Sequence, residues 1–261
     1  MQLLAPQNCD GDTAAVAQTQ SSAETFATSA YKCDKIPFGE LQKIKALQSQ
    51  EKEDKRLLSW FNGLCGGSYI EMGAHDGVYL SNSHVFNKGG FQWKGVLIEP
   101  CSNYDKLIVN RPDEIATIRA AACKKPGKVH WVDCGAVGGI WEFANEGYRK
   151  KWWSDLTVED LPELECLPLG SLLEKHAAGV TFFDFWSLDI EGVELLALQS
   201  IDLNKVGFGI VVVEHEGKDS VKDKSVRDLL ERHGYVCLRN TRRNVHFKNG
   251  NFDKIYENLV D

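Results

Sequence analysis

The chain has 261 residues, of which 43% are hydrophobic and 26% charged, and this is enough to bury a full core in one large or two small domains. The formal net charge of −7 argues against a nucleic-acid partner, because phosphates are repelled unless a basic patch compensates. One arginine cluster stands out, at Arg239, Arg242 and Arg243, and a solvated or anion-facing surface is favoured there over a groove for nucleic acid.

The eight cysteines are widely scattered and form no C-x-x-C pair, so neither a zinc ribbon nor a thioredoxin-like motif is indicated. An even count permits disulfides, but only in an oxidising compartment. The N-terminus lacks the apolar core of a signal peptide, and no stretch is long and apolar enough to cross a membrane. We therefore expect a soluble protein in the reducing cytoplasm.

Two segments precede the main domain. Residues 1–37 carry few large apolar side chains and predict a weakly ordered leader. Residues 38–64 place apolar side chains at helical spacing, from Leu41 and Ile44 to Leu58, and predict one or two helices that pack on the domain. The domain itself is expected to span residues 65–261.

From residue 65 onward, apolar strands alternate with helices. The predicted strands are Ser68–Met72, Gly95–Ile98, Ile115–Ala121, Lys128–Val132, Thr181–Leu188, Val206–Val213, Tyr235–Arg239 and Asn244–Lys248. The predicted helices are Leu80–Lys88, Ser102–Asn110, Leu172–Ala177, Val193–Ser200 and Val221–His233. Such strands imply a parallel sheet with helices on both faces, and the two closely spaced final strands imply a terminal hairpin with one antiparallel strand.

Residues 133–167 follow no regular pattern and are predicted to be an insertion. The segment is aromatic, with Trp141, Phe143, Tyr148, Trp152 and Trp153. We expect it to form a lid over a site at the sheet edge. Stacking against a sugar and simple packing are both compatible with this composition.

The first strand of the domain ends in a glycine turn. Glu71 precedes this turn, which is bracketed by Gly73 and Gly77, so the spacing is E-x-G-x-x-x-G. Glycine lets the backbone approach a nucleotide-like ligand because no Cβ stands in the way. The dinucleotide fingerprint instead reads G-x-G-x-x-G and needs no acid before the turn. The pattern resembles motif I of S-adenosylmethionine (SAM)-dependent methyltransferases, in which the early acid faces the amino group of the methionine portion; a plain glycine-rich connection is the alternative.

Other strand ends also carry polar residues, and doubly wound sheets bind ligands at the carboxyl ends of their strands. Glu99 follows Gly77 by about 20 residues, the offset at which an acid meets ribose hydroxyls, although an exposed strand-end acid has the same pattern. Asp189 and Glu191 flank a single residue and can face the same crevice. His215 ends a buried strand and is a candidate proton acceptor near neutral pH, although a lone strand-end histidine is more often a surface residue.

Taken together, four segments resemble the FkbM family of methyltransferases. They are Tyr69–Gly77, Gly95–Pro100, Phe185–Leu198 and Ile210–Glu214, and the match extends over about residues 65–250. The resemblance implies an α/β protein with a Rossmann-like class I methyltransferase fold, in which a seven-stranded, mostly parallel sheet has one antiparallel strand. It also implies SAM as the cofactor and, most often, O-methylation.

The resemblance further implies roles for individual residues. Glu71, Gly73, His75 and Gly77 would hold the methionine part of SAM, and Glu99 the ribose. The predicted cofactor site also includes Ala74, Asp76, Ser81, Asn82 and Pro100, and the predicted catalytic residues are Asp189, Glu191 and His215. Many methyltransferases have a third glycine where His75 stands, so His75 is a candidate for direct contact with cofactor or substrate.

The predicted function is methyl transfer to a hydroxyl of a small molecule or glycan. Asp189 or His215 would accept the proton while Glu191 orients the acceptor. A metal-assisted variant with oxygen ligands from Asp189 and Glu191 stays open, but no metal ligand is assigned.

The sequence disfavours two further classes of function. The glycine spacing argues against a nucleotide-dependent oxidoreductase, and the polar strand ends argue against a non-catalytic SAM-fold module. The sequence predicts neither a membrane span nor an oligomeric state.

Overall fold

The structure is a computed structural model, and it describes residues 26–215, 219–241 and 243–259. The strands in these ranges are β1 (Tyr31–Lys32), β2 (Leu64–Cys65), β3 (Ser68–Met72), β4 (Lys94–Ile98), β5 (Ala116–Ile118), β6 (Ala121–Ala122), β7 (Gly127–Val132), β8 (Gly139–Ile140), β9 (Glu163–Leu167), β10 (Phe182–Leu188), β11 (Gly207–Glu214), β12 (Tyr235–Asn240) and β13 (Asn244–Asn249). The helices are α1 (Phe38–Leu41), α2 (Glu53–Phe61), α3 (His84–Lys88), α4 (Tyr104–Asn110), α5 (Glu146–Trp152), α6 (Leu169–His176), α7 (Glu194–Leu198), α8 (Ser220–Arg232) and α9 (Phe252–Ile255).

A seven-stranded sheet runs through the domain in the order β12-β13-β11-β10-β3-β4-β5. Neighbouring strands are parallel except at β13, which pairs antiparallel with both β11 and β12. This order confirms the predicted α/β fold, a mostly parallel sheet with one antiparallel strand. The chain moves outward from β3 to β5 and then crosses back to β10, so the topological switch point lies between β3 and β10.

The central strands are apolar because both faces of the sheet are covered. All seven residues of β10 are buried, and successive side chains enter different cores. Trp186 packs against Phe208 on the face covered by α6, α7 and α8. Phe185 packs against Phe61 and Trp93 on the face covered by α2, α3 and α9.

Several predicted boundaries were wrong for local reasons. The helix predicted from Leu80 begins only at His84, because the Glu71 carboxylate draws Ser81, Asn82 and Ser83 into an irregular turn. The strand predicted over Ile115–Ala121 is divided into β5 and β6, which belong to different sheets. In the segment 38–64, by contrast, one or two helices were predicted, and the structure has two, α1 and α2, separated by a loop.

The N-terminal segment packs on the domain as far as the structure describes it. The predicted leader covers residues 1–37, of which residues 1–25 lie outside the described ranges. In the remainder, β1 pairs antiparallel with β2, and a disulfide joins Cys33 to Cys65. The Thr28 hydroxyl donates to the buried Asp184 carboxylate. Residues 26–37 are therefore part of the folded unit.

The aromatic insertion has regular structure, contrary to prediction. Residues 133–167 contain β8, α5 and β9, and the two strands join β6 and the predicted strand β7 in a second, four-stranded sheet. A small apolar cluster underlies this sheet, and a disulfide links Cys123 to Cys166 within it. No helix in the described residues is long and apolar enough to cross a membrane.

Candidate cofactor and active site

A cavity of about 330 Å³ opens at the carboxyl ends of the central strands, at the switch point of the sheet. Eight of the predicted site residues line it, namely Glu71, Gly73, His75, Asn82, Glu99, Pro100, Asp189 and Glu191. The structure brings these residues together from three strand ends and one turn. Five other predicted site residues do not line the cavity, namely Ala74, Asp76, Gly77, Ser81 and His215.

Glu71 lies at the base of the cavity and is only 3% exposed. Its carboxylate accepts hydrogen bonds from the Ser81 hydroxyl at 2.8 Å, the Asn82 backbone N–H at 2.6 Å, and the Ser83 hydroxyl. These bonds fix the turn that follows Gly77. The acid before the glycine turn therefore shapes the loop in addition to placing negative charge in the cavity.

The two glycines of the turn adopt backbone angles that suit glycine, with φ of +80° at Gly73 and +77° at Gly77. A Cβ on Gly73 would overlap the carbonyl oxygen of Asp189, and one on Gly77 would lie 2.6 Å from Cγ of Arg111. Gly73 thus allows the β3 turn to contact the end of β10. Gly77 allows the turn to pack on α4.

His75 occupies the left-handed region with φ of +49°, which is uncommon for a residue other than glycine. Its backbone N–H donates to Glu99 Oε2 at 2.6 Å, and its Nε2 lies 2.8 Å from Asn103 Nδ2. Because the Asn103 amide nitrogen can only donate, Nε2 of His75 is the acceptor in this contact. His75 therefore connects the β3 turn with Glu99 and the start of α4.

Asp76 stabilises the same turn from outside the cavity. Its Oδ1 accepts from the backbone N–H groups of Val78 and Tyr79, at 2.9 and 2.7 Å. Burial opposes the ionised form, but these hydrogen bonds prevail and lower the pKa of Asp76.

Glu99 lies at the end of β4 and is 5% exposed. Oε1 accepts from the Cys101 N–H at 2.9 Å and Oε2 from the His75 N–H at 2.6 Å. Each carboxylate oxygen has a second lone pair, so both remain available to a vicinal diol. The geometry suits an acid that holds a ribose.

Three carboxylates meet at the ends of β10 and β11. Asp189, Glu191 and Glu214 each offer an oxygen atom, and these atoms lie within 4.8 Å of one another. Burial raises the pKa of both Asp189 and Glu214, and the pair lies too close to ionise twice at neutral pH. Oxygen ligands of this kind also suit a hard cation such as Mg²⁺.

A residue of the insertion restrains Glu191. Glu191 has a φ of +54°, and the Tyr148 hydroxyl donates to Glu191 Oε2 at 3.0 Å. Glu194 is fully buried and accepts from the backbone N–H groups of Ile190 and Gly192, so it fixes the loop between them. The loop that carries Glu191 is therefore tied to both the domain and the insertion.

His215 faces away from these carboxylates. Its Nδ1 lies 3.2 Å from Asp223 Oδ2 on α8, and the residue does not line the cavity. The geometry thus places the histidine in a surface pair, which was the alternative considered for it.

The insertion covers one side of the cavity. Its Val137 and Trp152, together with Trp131 of β7, line the wall opposite the glycine turn. Behind them, Trp141 stacks on Trp153, whose Nε1 donates to the Val137 carbonyl at 3.0 Å. This aromatic cap lies where a lid was expected.

Sequence reasoning missed part of the lining. Gln50, Glu214 and Arg243 contribute polar groups, and Ala120–Ala122 an apolar edge. Glu214 ends one of the four segments that carry the family resemblance, Ile210–Glu214, but it was not among the predicted site residues. Gln50 lies in a loop and Arg243 in a hairpin turn, which only the tertiary fold brings to the site.

Strand order, glycine turn and acidic strand ends together define a class I SAM-dependent methyltransferase. The family model of the methyltransferase FkbM domain matches residues 71–237. The chain belongs to this family, and S-adenosylmethionine is its cofactor. The predicted resemblance is thereby confirmed.

Searches with the whole chain add little beyond the family. No curated protein matches. Among solved structures, the chain is similar to a TehB-like SAM-dependent methyltransferase from Corynebacterium glutamicum, with 12% identity, a TM-score of 0.38, and coverage of 81% of this chain and 95% of that one. It is also similar to a precorrin-6y C5,15-methyltransferase from Geobacter metallireducens, with 14% identity, a TM-score of 0.37, and coverage of 78% and 90%. A SAM-dependent methyltransferase from Aquifex aeolicus gives 13% identity, a TM-score of 0.36, and coverage of 82% and 97%.

The residues present fit the cofactor electrostatically. Among the described residues, five side chains with carboxyl groups line the cavity, at Glu71, Glu99, Asp189, Glu191 and Glu214. SAM carries a sulfonium and an ammonium group against a single carboxylate, so its net charge is positive. An acidic cavity therefore suits SAM, whereas the phosphates of a dinucleotide would be repelled.

Proposed function

We propose that this methyltransferase transfers the methyl group of SAM to a hydroxyl group of a small molecule or glycan. The observation that carries the proposal is the convergence of Asp189, Glu191 and Glu214 beside the aromatic cap. Bound SAM supplies the activated methyl group. The protein must then align the acceptor oxygen, exclude water and accept one proton.

Asp189 is assigned the role of proton acceptor. It ends β10 at the switch point, and its backbone lies against Gly73 of the cofactor turn. With one proton held on Glu214, Asp189 stays ionised and has an oxygen free for the acceptor hydroxyl. His215 is not assigned this role, because its imidazole pairs with Asp223 outside the cavity.

Glu191 is assigned the role of orienting the acceptor. The Tyr148 hydroxyl restrains one carboxylate oxygen of Glu191. The backbone of Glu191 is in the left-handed region, so the residue lies in a tight turn. A carboxylate held in this way accepts a hydrogen bond from a second acceptor hydroxyl. The planes of Trp131 and Trp152 then offer apolar surface for the ring of a sugar or an aromatic alcohol.

The predicted cofactor residues have two proposed roles: some contact SAM, and the others stabilise the glycine turn. Glu71, Gly73, His75, Asn82, Glu99 and Pro100 are assigned to contact SAM, because they line the cavity. Ala74, Asp76, Gly77 and Ser81 are assigned to hold the turn, and Ser81 does so by donating to Glu71.

The test is methyl transfer from isotopically labelled SAM to a panel of simple glycosides and aromatic alcohols. Asp189→Asn should bind S-adenosylhomocysteine as the wild type does and lose roughly 10²- to 10⁴-fold in turnover. Unchanged turnover would remove Asp189 from the mechanism. SAM binding without product from any acceptor would favour a non-catalytic binding module.

A metal-assisted variant is the second candidate, favoured by the 4.8 Å grouping of three carboxylates. Asp189, Glu191 and Glu214 would then supply oxygen ligands to a divalent cation that stabilises the acceptor oxygen. Exhaustive chelation separates the two mechanisms. Activity that survives chelation excludes the metal, and activity restored by Mg²⁺ supports it.

We infer that the chain matures in an oxidising compartment, in place of the cytoplasmic location expected from the sequence. Two disulfides, Cys33–Cys65 and Cys123–Cys166, support this inference, since cytosolic thiols are normally kept reduced. The measurement is thiol labelling of native protein followed by mass spectrometry. Labelling at Cys33 or Cys123 in protein from its own cell would contradict the inference.

A further inference from the structure

The charge distribution of the cavity is one-sided. Five carboxylates line it, and among the described lining residues Arg243 is the one lysine or arginine. SAM has one anionic group, the carboxylate of its methionine part. Against most of the wall, that carboxylate would face like charges, which is unfavourable at short range. Arg243 offers the opposite charge.

In the described residues, the Arg243 guanidinium uses few of its N–H donors. It precedes β13, and its Nη1 donates to Gln50 Oε1 at 3.0 Å. The nearest acid to its side chain is Glu51, at 3.9 Å between Nε and Oε1, and both side chains are substantially exposed. A guanidinium has five N–H donors, so most of them remain available to a ligand.

The position of Arg243 fits the methionine end of the cofactor. If Glu99 at the end of β4 holds the ribose and the turn after β3 holds the methionine part, SAM extends from β4 across the end of β3 towards β10. The sheet order continues from β10 through β11 to β13, at about 4.8 Å per strand. The turn before β13 is therefore on the side towards which the methionine part points.

One contact ties this corner to the cofactor turn. Gln50 lies next to Ser49, which forms a bridge with Leu80 just after the glycine turn. Arg243 and Gln50 line the same cavity as Gly73 and Asp189.

We propose that Arg243, supported by Gln50, binds the carboxylate of the methionine part of SAM. The planar guanidinium can donate two parallel hydrogen bonds to a carboxylate, while Gln50 holds its other edge. The proposal rests on SAM as the cofactor and is independent of the hydroxyl acceptor and of the residue that takes the proton. It also gives a role to part of the arginine cluster noted in the sequence.

Calorimetric titration with three ligands tests the proposal without any acceptor. The ligands are SAM, S-adenosylhomocysteine and decarboxylated SAM, which keeps the sulfonium and the amine but lacks the carboxylate. Arg243→Gln should lower the affinity for SAM and for S-adenosylhomocysteine by about tenfold. This is at the lower end of the range for a hydrogen bond to a charged group, because the site is half-exposed. Decarboxylated SAM should bind the variant and the wild type equally.

The matched control is Arg239→Gln, which removes the same charge from strand β12 of the same hairpin but does not line the cavity. It should leave all three affinities unchanged. Equal weakening of all three ligands by Arg243→Gln would overturn the proposal, as would unchanged SAM affinity with a raised KM for an anionic acceptor. Neither result would bear on whether Asp189 takes the proton.

A second measurement remains informative if Arg243→Gln does not fold. Gln50→Ala should lower the affinity for SAM a few-fold and leave the affinity for decarboxylated SAM unchanged. In the wild type, the preference for SAM over decarboxylated SAM should shrink as salt is raised, because a half-exposed ion pair is screened. A preference that is absent at low salt would overturn the proposal.

Discussion

Gly73 lies directly against the carbonyl oxygen of Asp189, with no room for a Cβ between them. This contact joins the cofactor turn of β3 to the strand end that carries the proposed proton acceptor. It explains why the first glycine of the turn is needed even though no dinucleotide phosphate has to approach. The ends of β3 and β10 can therefore lie this close together only because residue 73 has no Cβ.

Gly73→Ala should therefore disrupt both the glycine turn after β3 and the cofactor cavity between the ends of β3 and β10. The residue has φ of +80°, and a Cβ would overlap a backbone atom that cannot move aside easily. We expect a loss of about 3 kcal/mol or more in unfolding free energy and no measurable binding of S-adenosylhomocysteine. Denaturant unfolding and calorimetry measure the two effects.

Gly90→Ala is the control for backbone strain alone. Gly90 has φ of +94°, but a Cβ there would meet nothing within 4 Å. We expect a cost of about 1 kcal/mol with cofactor binding intact. Equal effects of the two substitutions would show that the contact with Asp189 does not matter.

The fold and the cofactor turn were predictable because both depend on local patterns. β-Branched apolar runs such as Val211–Val213 are typical of buried central strands, and Glu71 with Gly73 forms a short motif of fixed spacing. The role of Asp76 as a support for the turn was not predictable, because it depends on which backbone N–H groups its side chain meets.

Long-range features escaped prediction for a related reason. Arg243 and Gln50 are separated by most of the chain and meet only through the sheet order and the N-terminal loop. The strand at Glu163–Leu167 was missed although polar and apolar residues alternate from Glu163 to Cys166, as a small sheet with one covered face requires. Its partners lie far away in the sequence, because it pairs with β7 and is joined to Cys123 by a disulfide.

His246 makes stability sensitive to acid. It is fully buried on β13, and burial, with the positive charges of Arg56 and Arg239, lowers its pKa to about 3. An unfolded histidine titrates near 6.5, so between these values the unfolded state binds the extra proton. Stability should therefore fall as pH drops below about 6.5, by up to about 1.4 kcal/mol per pH unit.

His246→Leu tests this assignment. The substitution removes the titrating group and keeps an apolar side chain in a buried position, so the loss of stability between pH 7 and pH 5 should become smaller. Denaturant unfolding at both pH values gives the difference. An identical pH dependence in wild type and variant would assign the acid sensitivity to other groups.

The Cys123–Cys166 disulfide should stabilise the insertion. It closes a loop with a sequence separation of 43 residues, next to a cluster that contains few buried side chains. Replacing both cysteines with alanine should cost about 2–4 kcal/mol and expose residues 133–160 to protease before the main sheet unfolds. Simultaneous cleavage of both parts would show that the insertion does not open by itself.

Tyr148 offers a way to separate acceptor positioning from cofactor binding. Its hydroxyl donates to Glu191 at 3.0 Å, while its ring packs edge-on against Trp153. Tyr148→Phe removes the hydroxyl and keeps the ring, so the cap should stay folded and the affinity for S-adenosylhomocysteine should not change. Loss of that donor weakens the restraint on the Glu191 carboxylate, and we expect the KM for the acceptor to rise by about three- to tenfold, corresponding to one hydrogen bond. Initial-rate kinetics at saturating SAM measure this change. A loss of cofactor affinity in Tyr148→Phe would instead place Glu191 at the cofactor and remove it from acceptor binding.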